Sequence, residues 1–219
     1  MYAVILFPGV LIHELSHWIT AKLLGVRTGS FSIIPRQNAD GTIQLGYVEY
    51  YRGKTLDPIR ESLIGGAPLI VGTTIILLIG FNVFDVSGLA GAVQSGDLDT
   101  LSFALASLYQ TDFILFWVYL IFAISNAMLP SKSDRRAWPA FVVAMILLAG
   151  IVYLLDLQQE VAAGLAQPVV RVFGYLGIAF SIAIGADLFF MLVVTLVETI
   201  AGRIRGVKVV YGRTENEQT

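Results

Sequence analysis

The chain has no cysteine, and only two histidines among its 219 residues. The first absence excludes disulfides, thiolate nucleophiles and cysteine-based zinc sites, and leaves the redox compartment unread. Any zinc would have to be held by imidazole and oxygen. Charge is also scarce: Asp, Glu, Lys and Arg make up 14% of the residues against 56% apolar ones. With a mean hydropathy of +0.76, this is more apolar surface than one water-soluble core of this length can hide, which predicts a membrane protein. The net charge of -2 comes without a basic face. Lysines and arginines are spread along segments that flank apolar runs, so no nucleic-acid partner is expected.

What the chain does have is long apolar runs. Residues 2–24, 58–80, 113–129, 138–155 and 169–200 each have the length and composition to cross roughly 30 Å of hydrocarbon. The first run has no basic stretch before it and is interrupted by His and Glu, so it reads as a retained helix rather than a cleaved signal. Gly25 marks its C-terminal stop. Between the first two runs, turn residues separate two β-branched and aromatic stretches, Phe31 to Pro35 and Thr42 to Tyr50, which predicts a hairpin or small sheet. Leu101 to Tyr109 reads as a short interfacial helix and Asp156 to Pro168 as a polar connection. The expected fold class is an all-α polytopic membrane protein with about five transmembrane helices and a small β-hairpin or sheet inserted between helices 1 and 2. Thirteen of the fourteen basic residues fall on one side of such an arrangement, leaving only Arg171 on the other. The positive-inside tendency then puts the N-terminus outside and the C-terminus in the cytoplasm, in the plasma membrane.

Both histidines lie in the first run, in His13-Glu14-Leu15-Ser16-His17. Residues four apart share a helix face, so two imidazoles can reach one metal ion while Glu14, about 100° round, addresses water beside it. Two histidines scattered at random form such a pair roughly once in a hundred chains, and the intervening Glu lowers that more than tenfold. The competing reading is a pair of neutral histidines hydrogen-bonded between packed helices. Two acidic residues compete as third ligand. Asp134 follows the broken helix end Asn126 to Pro130 and reads equally as a ligand or as a loop charge paired with Arg135 or Arg136. Asp187, well inside the last run, reads as a ligand or as a polar partner for a neighbouring helix.

Three segments in order resemble the site-2 protease family of intramembrane zinc metalloproteases. His13-Glu-Leu-Ser-His17 followed by Thr-Ala-Lys-Leu-Leu-Gly-Val is similar to the family's first helix, with Ser16 where Gly is commoner. Gly66-Ala67-Pro68-Leu69 is similar to its small-residue and proline motif, without the Asn that often follows. Asn126 to Asp134 resembles its Asn-x-x-Pro...Asp-Gly motif, with the proline displaced by one position and Arg135 in place of the Gly.

The resemblance implies a metalloprotease core at residues 1–136, made of three transmembrane helices and a membrane-associated β region at 26–57. Two additional transmembrane helices would follow at 137–201, and a polar cytoplasmic tail at 202–219. It implies zinc held by His13, His17 and Asp134, Glu14 as general base, Asn126 hydrogen-bonding substrate backbone, and Gly46, Tyr47 and Val48 in a sheet that helps hold substrate. The implied partners are the lipid bilayer and a transmembrane protein or peptide, cleaved within the membrane. The alternative function is a non-catalytic metal-binding membrane protein, such as a chaperone or transporter component. Membrane di-iron enzymes are disfavoured because two histidines are too few.

Overall fold

A computed structural model describes residues 5–32, 36–37, 43–44, 46–50 and 58–205. The expected tail from 206 onward, and parts of the expected hairpin, lie outside the described residues. Helix α1, Phe7–Leu23, begins with Pro8 in its first turn, where the missing N–H belongs to the donors a helix leaves unpaired anyway. It ends as expected at Gly25, whose φ of 71° is left-handed. Gly25 N–H donates to Lys22 O at 3.0 Å and Val26 N–H to Ala21 O at 2.8 Å. These two bonds form a Schellman ending, and Val26 packs beside Ala21 and Ile64.

The turn leads into antiparallel strands. β1, Thr28–Ser32, pairs with β4, Tyr47–Tyr50, in the register Phe31 to Val48 and Ser32 to Tyr47, with an irregularity between Thr28 and Phe31. Nested within them, β2, Arg36–Gln37, pairs with β3, Ile43–Gln44. The hairpin between the first two apolar runs is therefore present. Helix α2, Pro58–Asn82, follows, and its 25 residues extend about 38 Å.

Where the sequence suggested one interfacial helix there are two. They are α3, Val86–Ser95, and α4, Leu98–Tyr109. Acidic residues start both: Asp85 accepts the Gly88 amide, and Asp97 accepts the amides of Asp99 and Thr100. The Thr100 hydroxyl and these amides hold the Asp97 carboxyl below its ordinary pKa. Helix α5, Ile114–Ala127, meets α4 at an 85° bend.

Helix α6, Trp138–Leu154, is apolar and buries no residue in the protein. Helix α7, Gln158–Arg205, is continuous over 48 residues and contains Pro168. The polar connection expected over Asp156 to Pro168 is thus largely helical. Its Gln, Glu, Ala and Leu residues are good helix formers, and only Asp156, at φ 57°, and Leu157 interrupt the helical path.

The core lies where α2, α5 and α7 meet. Ile76 and Ile79 of α2, Ile121 and Ile124 of α5, and Ala179, Ala183 and Ala186 of α7 are buried together. The three alanines recur at helical spacing, so one narrow stripe of α7 allows close approach while most of its apolar surface faces outward. Among the described residues two helices are long and apolar enough to cross a membrane, Pro58–Asn82 and Gln158–Ile204. A third is available if the bent pair α4 and α5 is one span.

Candidate metal centre

Helix α1 lies against α2 and α5, and this places its polar face in the interior. Glu14, Ser16 and His17 are all buried. Each histidine is held from behind by a backbone carbonyl. His13 Nδ1 is 2.7 Å from Ala127 O and His17 Nδ1 is 2.8 Å from Ile64 O. A carbonyl only accepts, so each Nδ1 carries the proton, and in a neutral ring each Nε2 then presents a lone pair. The two Nε2 atoms are 3.1 Å apart. Neither has a proton to give the other, so this is a facing of acceptors rather than a hydrogen bond.

Asp134 closes the group. Its Oδ1 lies 3.4 Å from His17 Nε2 and its Oδ2 lies 3.8 Å from His13 Nε2. Three ligand atoms, one from each residue, thus lie within 4.8 Å of one another. Two lone pairs and a carboxylate converging in a poorly hydrated space repel unless a cation stands between them. Donors about 2.0 Å from a tetrahedral zinc are separated by about 3.3 Å; the 3.1 and 3.4 Å separations here are close to that, and the third, from His13 to Asp134, is wider at 3.8 Å. The donor set fits a divalent metal, and the Nδ1–H to carbonyl bonds are the outer contacts that orient metal-bound imidazoles.

The end of α5 serves both ligand types. Its last residue is Ala127, and the N–H that would continue the ladder to that carbonyl, from Ser131, turns instead to Asp134 Oδ2 at 2.7 Å. The Ser131 hydroxyl donates to the same oxygen at 2.6 Å. One break therefore exposes the carbonyl that holds His13 and supplies the donors that hold Asp134. Among the described residues the ion-pair contacts of Asp134 are with His13 and His17 and not with Arg135 or Arg136, and Arg135 Nε donates to Ser131 O at 3.4 Å.

Close approach by the Asp134 segment depends on Gly65 of α2. A Cβ there would stand 2.0 Å from Asp134 O. Glu14 faces the hairpin: a Cβ on Gly46 would lie 2.7 Å from its Cγ and 3.0 Å from its Oε1. Of the residues expected to hold substrate, Gly46 is thus beside Glu14, and half-buried Tyr47 and Val48 follow it on β4. No family model, curated protein or solved structure matches this chain.

Asn126 and Asp187 stand apart from the group of His13, His17 and Asp134. The Asn126 amide donates to Phe122 O at 2.9 Å and to Asp187 Oδ1 at 2.8 Å, and the Ser125 hydroxyl has both Phe122 O, at 3.0 Å, and the same Asp187 oxygen, at 3.2 Å, as acceptors for its one proton. Of the two candidates for third ligand, only Asp134 joins the histidines, and Asp187 is the polar partner of a neighbouring helix. Sequence reasoning missed Ser131 and the particular use of Gly65. A serine three residues before an acid at a broken helix end was the available signal for Ser131, because such side chains capture local backbone groups.

Proposed function

We propose that this protein is an intramembrane zinc metalloprotease that hydrolyses peptide bonds of membrane-embedded or membrane-associated proteins, in the manner of regulated intramembrane proteolysis. The observation that carries the reading is the convergence of Asp134 on the histidine pair of His13-Glu-Leu-Ser-His17. The resemblance of the three motifs to the site-2 protease family supports it. So does the apolar outer surface of α6 and α7, with Ile146, Leu147, Val170 and Leu192 all exposed, which suits lipid and not water. Five crossings follow if α1 and α6, at 17 residues each or about 26 Å, traverse a bilayer thinned at the site. The N-terminus is then external and the C-terminus cytoplasmic.

His13, His17 and Asp134 would hold the zinc. Zinc supplies a Lewis acid for a peptide carbonyl and lowers the pKa of water toward neutrality. Glu14 takes a proton from the attacking water and gives it to the departing amine. A substrate helix has to unwind first, because its carbonyls are shielded and engaged. Strand β4 pairs with β1 on one side, and among the described residues no strand pairs with its other edge, which can receive the unwound segment by strand addition, next to Glu14 at Gly46. Asn126 would have to leave Asp187 to touch substrate, so the chemistry is assigned to Glu14 and the three ligands.

The test compares membranes of cells producing the native protein with those producing Glu14→Gln. Both purified proteins should hold one zinc, and only the native one should generate fragments cut within transmembrane segments, with turnover reduced at least 100-fold by the substitution. Equal fragment yields would remove Glu14 from the mechanism. Zinc without any Glu14-dependent cleavage would favour the non-catalytic metal-binding function.

A further inference from the structure

The carbonyl that orients His17 is one that an unbroken helix would not offer. Within α2 the carbonyl of Ile64 would ordinarily accept the N–H of residue 68. Residue 68 is Pro, which has no N–H and whose ring crowds the carbonyl four residues earlier. Ile64 and Pro68 are both almost completely buried, below 2% exposed, so water does not replace the lost donor. A buried carbonyl needs a partner, and the partner here is Nδ1–H of His17, from a different helix, at 2.8 Å.

We propose that Pro68 is a positioning residue for the metal centre: by withholding a donor it reserves the Ile64 carbonyl for His17 and so holds that ring with Nε2 bare and turned toward His13 and Asp134. The consequence for metal affinity rests on the metalloprotease reading, whereas the hydrogen bond and the tautomer do not. Pro68 acts through the missing donor and not through its ring shape. An N–H at this position competes with His17 for Ile64 O, frees the imidazole to rotate or to move its proton to Nε2, and weakens the ligand without touching it.

The experiment uses the full chain in lipid nanodiscs with 15N-labelled histidine. In the metal-free protein at about pH 9, where imidazole is neutral, 15N shifts report which ring nitrogen of His17 carries the proton. Co2+ titration then measures affinity. Native protein should show His17 protonated at Nδ1. Pro68→Ala should give a mixture of tautomers and a 10- to 100-fold loss of Co2+ affinity, the range for losing an outer partner of a metal ligand.

Lactic acid at position 68, by nonsense suppression, adds the same methyl side chain but an ester oxygen in place of the N–H. It should restore the native tautomer and bring affinity within about threefold of native. An ester as weak as the alanine variant would assign the effect to the ring, and an alanine variant with native tautomer and affinity would dismiss it; either overturns the proposal. So does a native His17 protonated at Nε2. Native protein with the expected tautomer but no Co2+ binding would remove the metal site and leave the positioning role standing. Should Pro68→Ala not fold, Pro68→Gly and its ester counterpart, glycolic acid at position 68, carry the same comparison with the same outcomes expected.

Discussion

Asp134 and Asp187 are two carboxylates set among apolar helices, and they meet opposite fates. Asp134 follows a broken helix, where a free backbone N–H and the Ser131 hydroxyl hold one oxygen and leave the other facing His17. Asp187 lies within the unbroken α7, where every nearby N–H is already used by the helix, and it draws on side chains of α5, the Asn126 amide and the Ser125 hydroxyl that it shares with Phe122 O. Broken backbone makes a carboxylate available to a metal. Intact backbone makes it a link between helices. The same contrast applies to the histidines, since both depend on carbonyls released at interruptions, one at the end of α5 and one four residues before Pro68.

The strongest way to break this comparison is to exchange the two fates. Asp134→Ala should lower metal affinity by well over the roughly 100-fold that loss of an outer partner costs, as measured by competition titration of the purified protein. If Asp187→Ala had that effect instead, the assignment would be reversed. Next in size is Gly65→Ala, which puts a methyl group against the Asp134 backbone. We expect metal affinity to fall about 10-fold or more as the segment is displaced, with α2 still helical by circular dichroism; unchanged affinity would show that Asp134 does not need this approach. The smallest effect is expected for Asp187→Leu. Metal affinity should stay within about threefold, while loss of the links to α5 should cost about 1 kcal/mol, the usual size for an interhelical hydrogen bond in a membrane. Unfolding in mixed detergent micelles measures that cost, and a metal affinity that falls with it would join Asp187 to the centre.

Much of the centre was legible before the structure. The spacing of His13, Glu14 and His17 places both rings on one helix face, Gly25 signals the stop, and Pro130 warns of a broken end before Asp134. These are local rules, decided by residues near each other in the chain. The choice between Asp134 and Asp187 was not local, because it depends on which helix lies against α1. The contact of Asn126, to which the resemblance gives a role at the substrate, is likewise not local: its amide donates to Asp187 because α7 lies beside α5. The continuity of α7 through Pro168 was hidden for another reason, since polar residues at the head of a long apolar run suit both a connection and a helix that projects beyond the bilayer.

X-ray absorption at the metal edge of the purified, nanodisc-embedded protein tests the central claim most directly. The account predicts one zinc per chain with two imidazole nitrogens at about 2.0 Å and oxygen at about 2.0 to 2.2 Å completing four-coordination, and loss of this spectrum in Asp134→Ala. A chain that holds no zinc, a site occupied by iron, or a spectrum unaltered by Asp134→Ala would contradict it.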